Sequence, residues 1–286
     1  RLAWHGSPWS ERPGQEPPHP GRWAARDRAV RLAALRDLRC APDPVSAPAL
    51  LGFLAQEGDG GLALAAWTTL LRCDAATALT AAGRLLDRSA ANPLPAGAQA
   101  GTRRAVLRLA VEAAGAGTPA GRALLAPVCA TATGDELVDA LRLLPRDGSG
   151  EDLRRSALAR LLPETGAPTD AAERGALIEA LRGCGALDPT LALRLADLAA
   201  GERRDLACPA AERLAGAAAT LSPDTLASLA RRAGATDDQA VRLALLGALA
   251  RLDPASVLRA AGLDSPWTSL ARHRLALAGW PTAKVE

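Results

Sequence analysis

The sequence of 286 residues contains no methionine and no tyrosine, and its single phenylalanine is Phe53. Isoleucine, asparagine and lysine also occur once each, as Ile178, Asn92 and Lys284. Alanine, leucine, arginine, glycine and proline take their places, which we attribute to the codon usage of a G+C-rich genome, and we expect a bacterial source. The consequence is a core of Leu, Ala and Val in which small residues allow close helix packing. Because the initiator methionine is missing, we expect a processed chain or a segment of a longer protein.

Long apolar runs are missing as well. Residues 60–71 and 123–134 are among the longest, and both fall short of the roughly 18 apolar residues that a membrane-spanning helix needs. No basic start followed by an apolar segment indicates a signal peptide. We therefore expect no membrane partner.

Closely spaced metal ligands are also absent from the sequence. The cysteines are odd in number, far apart and without a CxxC pair: Cys40, Cys73, Cys129, Cys184 and Cys208. Zinc ligands normally come in closer pairs. This spacing favours buried free thiols in a reducing compartment, so we expect a cytoplasmic protein without a metal site.

Residues for catalysis are scarce. The histidines are His5 and His19, which lie in a proline-rich stretch, and His273, which stands between two arginines of a predicted surface helix. No GxSxG, HExxH, phosphate-loop or dinucleotide-binding motif occurs in a suitable context. We therefore expect a protein that is not an enzyme and has no catalytic residues and no cofactor.

Positive charge comes in pairs of arginines. The formal net charge is +3, and the pairs occupy positions 103–104, 154–155, 203–204 and 231–232. A phosphate-binding track is one interpretation. Glu151 and Asp152 precede one pair, however, and Glu202 and Asp205 flank another, so we interpret the pairs as solvated helix surfaces with local ion pairs.

Residues 1–21 differ from the rest of the chain. Trp4 and Trp9 occur there among prolines and glycines without periodicity, and the run from Pro17 to Pro20 forbids a helix. We predict an irregular N-terminal arm or linker. Trp4 and Trp9 are candidate binding residues, because two tryptophans are costly to leave in water.

Helical periodicity begins at Arg22 and predicts two further regions. Residues 22–100 contain irregular helical repeats, with a first helix that ends near Cys40 and others over about 46–56, 62–71 and 74–88. A Pro-, Gly- and Ala-rich loop over residues 89–101 marks the internal boundary. Residues 101–286 are predicted to be regular repeats with a C-terminal cap.

Helix starts after residue 101 recur at regular intervals. We predict them near the following residues: Thr102, Thr118, Thr133, Glu151, Thr169, Asp188, Pro209, Ser222, Thr236, Asp253 and Ser265. Several combine a capping side chain with a following proline, as in Thr118-Pro119 and Asp188-Pro189. A second capping box is predicted at Thr133 and Glu136. Two helices in about 34 residues is the spacing of an α-solenoid.

Residues 236–263 show this repeat most clearly. Thr236 and Gln239 predict a capping box at its first helix. Two apolar stripes follow: Val241, Leu245, Ala248, Leu249 and Leu252, and then Leu243, Leu246, Gly247 and Ala250. Because the stripes cover different sides, this helix is expected to be buried on two faces. The unit cannot cover its own apolar surface, so it must stack on others.

The run from Val241 to Pro254, VRLALLGALARLDP, resembles the bacterial HEAT-like repeat, in which a VR-x-A-x-x-A-L-G-x-L helix leads into a D-P turn. Weaker echoes occur over residues 178–193 and 153–162, whereas residues before 101 match poorly. The aromatic positions of tetratricopeptide repeats and the T-P-L-H element of ankyrin repeats are missing. The resemblance implies an all-α, right-handed α-solenoid of stacked antiparallel helix pairs with a concave face, and it implies no activity, because this fold mostly binds macromolecules.

We therefore expect a scaffold or recognition module that binds another protein or another domain of the same polypeptide. Trp267 and Trp280 are expected to close the last hairpin, or to dock the next element of a longer chain, and both are candidate binding residues. The alternative is a nucleic-acid-binding HEAT-like protein of the DNA glycosylase type, with Trp67, Trp267, Trp280 and arginines in one basic groove. A third hypothesis is a sensor module of a bacterial signalling or defence enzyme. Mixed charges beside an apolar patch would favour a protein partner, whereas a single basic groove would favour nucleic acid.

Overall fold

The structure, a computed structural model, describes residues 22, 25–87, 96–162, 168, 170–183, 187–216, 221–261 and 267–280, with the backbone alone at 96–101, 259 and 261. These residues form fifteen α-helices and one short 3₁₀ helix, and they contain no strand. The all-α expectation is confirmed. The predicted arm over residues 1–21 lies outside the described residues.

The chain divides into two compact units, Arg1–Thr131 and Ala132–Glu286. The first unit contains a 3₁₀ helix at Pro44–Ser46 and the helices α1 (Arg28–Cys40), α2 (Ala47–Gln56), α3 (Gly60–Cys73), α4 (Ala75–Leu86), α5 (Ala96–Ala114) and α6 (Pro119–Thr131). The second contains α7 (Gly134–Leu143), α8 (Glu151–Leu161), α9 (Ala171–Leu181), α10 (Pro189–Ala200), α11 (Arg204–Ala215), α12 (Pro223–Ala235), α13 (Gln239–Leu252), α14 (Pro254–Ala261) and α15 (Trp267–Leu277). This division falls about 30 residues after the boundary that the sequence suggests.

Helices pack against the next helix but one in both units. In the first unit α3 packs against α1 and α5, and we call α1, α3 and α5 its odd row. In the second unit α7, α9, α11, α13 and α15 follow one another in the same way and form its odd row. The even-numbered helices pack beside them, for example α4 on α5 and α12 on α13. A helix inside an odd row is therefore buried on more than one side.

Helix α13 shows this two-sided burial. It contacts α11 and α15 within its row and α12 and α14 beside it. Leu245 and Leu249 of the first predicted stripe are fully buried, as is Leu246 of the second. The prediction of two buried faces is confirmed, although Leu243 and Leu252 at the edges of the stripes are only half-buried.

Three of the predicted capping residues act as predicted. The Thr118 hydroxyl accepts from the Gly121 amide at 3.1 Å, the Asp188 carboxylate from Leu191 at 2.9 Å, and the Ser222 hydroxyl from Thr225 at 3.2 Å. Proline is the first helical residue in each case: Pro119, Pro189 and Pro223. These starts could be predicted because cap, proline and first turn all lie within four residues. The similar pair at 265–266 lies outside the described residues.

The predicted capping box at Thr236 is wrong. Asp238 caps α13, and its carboxylate accepts from the amides of Ala240 at 2.9 Å and Val241 at 3.2 Å. Thr236 ends α12 instead, since its amide donates to the Arg232 carbonyl. A carboxylate two residues nearer the helix has displaced the hydroxyl, and a negative charge also suits the positive end of the helix dipole. Thr133 does precede α7, but its side chain makes no capping bond there.

Two predicted starts are also wrong. Helix α5 begins at Ala96 and not near Thr102, because the alanine-rich end of the predicted loop favours helix. Helix α11 begins at Arg204 and carries Pro209 in its interior. Buried side chains on both sides of Pro209, such as Leu206 and Leu214, continue one stripe, and their burial outweighs the hydrogen bond that proline removes.

Candidate binding surfaces

Ion pairs connect consecutive helices of the odd rows. In the first unit Arg28 on α1 pairs with Asp59, the cap of α3, at 2.8 Å. In the second unit Arg204 on α11 pairs with Asp238, the cap of α13, at 3.2 Å. Each contact joins an arginine Nε to an aspartate Oδ2, and the partners are 31 and 34 residues apart. This separation matches the helix-pair period expected from the sequence.

A third ion pair of this kind lies within the second unit. Arg174 on α9 contacts Asp205 in the first turn of α11 at 3.3 Å, again through Nε and again 31 residues away. Arg203 also contacts Asp205, at 3.2 Å. Asp205 therefore forms ion pairs with two arginines.

The pKa of Asp59 is strongly lowered. The hydrogen bond from Arg28 is the main reason why its pKa falls to about 2, and the amides of Leu62 and Gly61 lower it further. The same contact raises the pKa of Arg28. Both groups therefore keep their charges at neutral pH, and their arrangement serves helix start and helix spacing, not proton transfer.

Paired arginines have a structural role that their sequence did not indicate. Arg103 is buried, and its guanidinium donates to the carbonyl of Leu85 and, at 2.9 Å, to that of Leu86. These are the last two residues of α4, where carbonyls lack partners within the helix. A cation also suits the negative end of the helix dipole. Arg103 is thus a buried cap and not part of a solvated surface.

Arg154 acts in the same way within the second unit. It is 2% exposed and donates to the carbonyl of Leu144 at 2.6 Å and to that of Glu179 at 3.0 Å. Its neighbour Arg155 forms the expected surface ion pair with Glu151 at 2.7 Å. The interpretation as solvated surface with ion pairs therefore holds for Arg155 and is wrong for Arg154.

Arg242 combines a cap with an aromatic contact. Its guanidinium donates to the carbonyls of Ala233 at 3.0 Å and Gly234 at 3.2 Å, at the end of α12. The same guanidinium lies over the ring of Trp267 on α15, with its Cζ 5.0 Å from the ring centroid. A cation–π contact of this kind is attractive. Trp267 is therefore held against α13 by Arg242.

The other tryptophans have different environments. Trp67 is 2% exposed within the first unit, so it is a core residue. Trp280 follows Gly279, whose positive φ of 84° ends the last helical turn, and it is 49% exposed. Trp4 and Trp9 lie outside the described residues. Trp67 and Trp267 are thus used in packing, and Trp280 is the described tryptophan that presents most surface.

A groove of about 420 Å³ crosses α11, α13 and α15 on the odd row of the second unit. We call it the C-terminal groove. Small residues form much of its surface: Ala215, Gly216, Gly247 and Ala278. Glu212 on α11, Arg251 on α13 and Arg274 on α15 supply its charges. Leu277, which also lines it, is 63% exposed. Mixed charge and exposed apolar surface therefore meet at one place.

A smaller groove of about 270 Å³ lies between α1 and α3 on the odd row of the first unit. We call it the N-terminal groove. Its lining comprises Leu32, Leu35, Arg36, Arg39, Ala65 and Thr69. Leu32 is 40% exposed, and no carboxylate is among the lining residues. This groove is apolar with a basic edge, unlike the C-terminal groove.

The expected closure of the last hairpin occurs only in part. Leu275 is buried, and Trp267 is half-buried beneath Arg242. Leu277 and Trp280 are exposed instead, so they do not close the described end of the hairpin. His273 is exposed, as predicted for a surface helix.

The described cysteines form no disulfide with one another, but they are not all buried. Cys73 and Cys129 are buried, Cys208 is half-buried, and Cys40 is exposed, which corrects the expectation for that residue. Burial raises the pKa of the Cys73 thiol. Burial, assisted by the carboxylates of Asp238 and Glu212, also raises that of Cys208. Cys184 lies outside the described residues.

Membrane-spanning helices and metal-ligand clusters were both sought in the described parts of the chain. No helix there is long and apolar enough to cross a membrane. Nor do three or more His, Cys, Asp or Glu side chains come together there in a way that could hold a metal ion.

No family model matches the chain, and no curated protein or solved structure matches it either.

Proposed function

We propose that this chain is a non-catalytic helical-repeat module of the HEAT-like type, which binds another protein or another domain of the same polypeptide. In this proposal its helix pairs stack as a right-handed α-solenoid. The odd rows support it, because each helix packs on the next but one. The inter-helix ion pairs of both units support it too, because they recur at the repeat spacing. The pair in the first unit favours repeats there as well, where the sequence resemblance is poor.

The C-terminal groove is the observation that favours a protein partner. Protein interfaces combine an apolar centre with a polar rim and are enriched in arginine and tryptophan. The groove places Arg251 and Arg274 beside the exposed Leu277, and Trp280 follows three residues later. Mixed charges beside an apolar patch are what we expect of a protein-binding surface.

Nucleic acid is the second candidate. The N-terminal groove favours it, since Arg36 and Arg39 line that groove without a carboxylate. The paired arginines do not add a track, because Arg103 and Arg154 bind helix ends and Arg203 and Arg204 pair with aspartates. A duplex track needs many arginines free for phosphates. We therefore prefer the protein partner.

We further propose a cytoplasmic location. The exposed Cys40 and the half-buried Cys208 are free thiols. Such thiols persist in a reducing compartment.

Capture of partners from an extract of the encoding organism, with and without nuclease, tests the proposed function. A protein that binds the immobilised chain equally after nuclease treatment is the expected result. Capture that disappears with nuclease would contradict the proposal and favour nucleic acid. A base-excision assay would then be the next experiment.

A further inference from the structure

We propose that the C-terminal groove binds an acidic amphipathic segment of a protein partner, with carboxylates on Arg251 and Arg274 and an apolar side chain on Leu277. This inference rests on the proposed protein-binding function and names the chemistry of the partner.

The two groove arginines have no internal use. Neither Arg251 nor Arg274 forms an ion pair or a side-chain hydrogen bond within the described part of the chain, whereas Arg142, Arg155, Arg174 and Arg204 of the same unit are all paired. Arg251 is exposed and Arg274 is half-buried, so a partner's carboxylates can approach both side chains from the groove.

Charge is divided between the two sides of the groove. Helices α13 and α15 contain no Asp or Glu, and they contribute Arg251 and Arg274. Helix α11 contributes Glu212 from the opposite side. Charge complementarity therefore favours a segment that is mainly acidic and faces α13 and α15 with its carboxylates. Glu212 would repel the evenly charged backbone of a nucleic acid, so the groove fits a peptide better.

The apolar part of the groove favours an amphipathic segment. Leu277 is 63% exposed at its edge, and the small residues Gly216 and Gly247 leave room for a bulky side chain. Apart from the adjoining residues and backbone of its own helix, no atom lies within 4 Å of the place where a Cβ on Gly247 would be. A helix-forming peptide that alternates acidic and apolar faces can fill this space and reach both arginines.

Binding of a fluorescent peptide built from Glu and Leu to the full chain tests this proposal. A peptide with Lys in place of Glu is the matched probe. We expect the Glu peptide to bind and the double variant Arg251→Glu, Arg274→Glu to weaken it by about tenfold or more, while the Lys peptide gains affinity for that variant. Arg231→Glu is the matched control, because Arg231 is an exposed arginine on an even-numbered helix. Circular dichroism checks that each variant is folded.

Three results would overturn the proposal. The wild-type chain fails to bind the Glu peptide, the control Arg231→Glu weakens binding as much as the double variant, or a single-stranded DNA oligonucleotide displaces the peptide from the groove. Arg251→Glu alone, at an exposed position, gives the same test should the double variant be unstable. Capture of partners from nuclease-treated extract tests the groove inference separately from the proposed function. If the double variant still captures the protein that the wild type captures, the groove inference fails and the proposed function stands.

Discussion

In the first unit Arg28 reaches the aspartate that caps α3, and in the second unit Arg204 reaches the aspartate that caps α13. Both units also place an arginine, Arg103 or Arg242, on the carbonyl end of the preceding helix. These contacts connect helix ends, and they recur although the surrounding sequences differ. The same packing is therefore built twice.

The two units share their helix-end contacts, but their grooves differ. The N-terminal groove carries Arg36 and Arg39 without a carboxylate, whereas the C-terminal groove sets Glu212 against Arg251 and Arg274. In the proposed repeat fold, the residues that join the helices are constrained and the exposed faces are free to vary. The specificity of the proposed partner binding should therefore be sought in the grooves, and stability in the helix-end contacts.

The largest effect is expected from a charge in the core of the second unit. Leu249→Asp places an unpaired carboxylate at a fully buried position and should unfold the helices around α13. Leu277→Asp, on the exposed edge of the groove, is the matched control and should leave thermal unfolding nearly unchanged. Circular dichroism measures both. A folded Leu249→Asp protein with unchanged melting would show that the helix register is wrong.

The helix-end arginines should have unequal effects on stability. Arg103→Met leaves two carbonyls of α4 without partners in a buried place, and we expect the free energy of unfolding to fall by about 3 kcal/mol. Arg242→Ala should cost less, about 1–2 kcal/mol, because that side chain is half-buried and water can replace part of its contacts. Urea unfolding gives both values. If neither variant lowered the free energy of unfolding, these contacts would not stabilise the packing of neighbouring helices.

The capping aspartate of α13 should contribute about 1 kcal/mol. Asp238→Ala removes two hydrogen bonds to the first turn and the partner of Arg204. Thr236→Ala removes only the bond that the Asp238 amide donates to the Thr236 hydroxyl, so its effect should be smaller. If Thr236→Ala lowered the free energy of unfolding more than Asp238→Ala, Thr236 would be the cap of α13, as the sequence suggests.

The smallest expected effect is a pH dependence in the first unit. The lowered pKa of Asp59, about 2 when folded against an unfolded value of about 4, means that its contribution is present above that unfolded value and is lost as pH falls towards 2. Asp59→Asn should therefore reduce the loss of unfolding free energy between about pH 4 and pH 2. Arg28→Gln should do the same, since Arg28 is the main cause of the shift. Unchanged acid unfolding in both variants would contradict this assignment.

Local features of the fold could be predicted from the sequence, whereas contacts between distant residues could not. The caps Thr118, Asp188 and Ser222 act within four residues of themselves, so their sequence context is sufficient. Arg103 could not be recognised, because its acceptors are 17 and 18 residues away. At Thr236 two capping residues competed, and only the fold decides between them.

The grooves were also beyond sequence reasoning, for a different reason. Glu212, Arg251 and Arg274 come from three helices, and nothing in their spacing marks them as neighbours. Of the tryptophans named from the sequence, Trp67 and Trp267 are used for packing, Trp280 is exposed, and Trp4 and Trp9 lie outside the described residues. The signal that could have found the groove is the lack of any acidic residue in α13 and α15.

The different roles of these arginines are tested most directly by comparing Arg242→Ala with the double variant Arg251→Glu, Arg274→Glu, in thermal unfolding and in binding of the Glu peptide. We expect opposite effects, because arginines at helix ends stabilise the fold and arginines in the groove bind the proposed partner. Arg242→Ala should melt several degrees lower and still bind the peptide at low temperature. The double variant should melt like the wild type and lose the peptide. Loss of both properties in both variants would contradict the division of roles between these arginines.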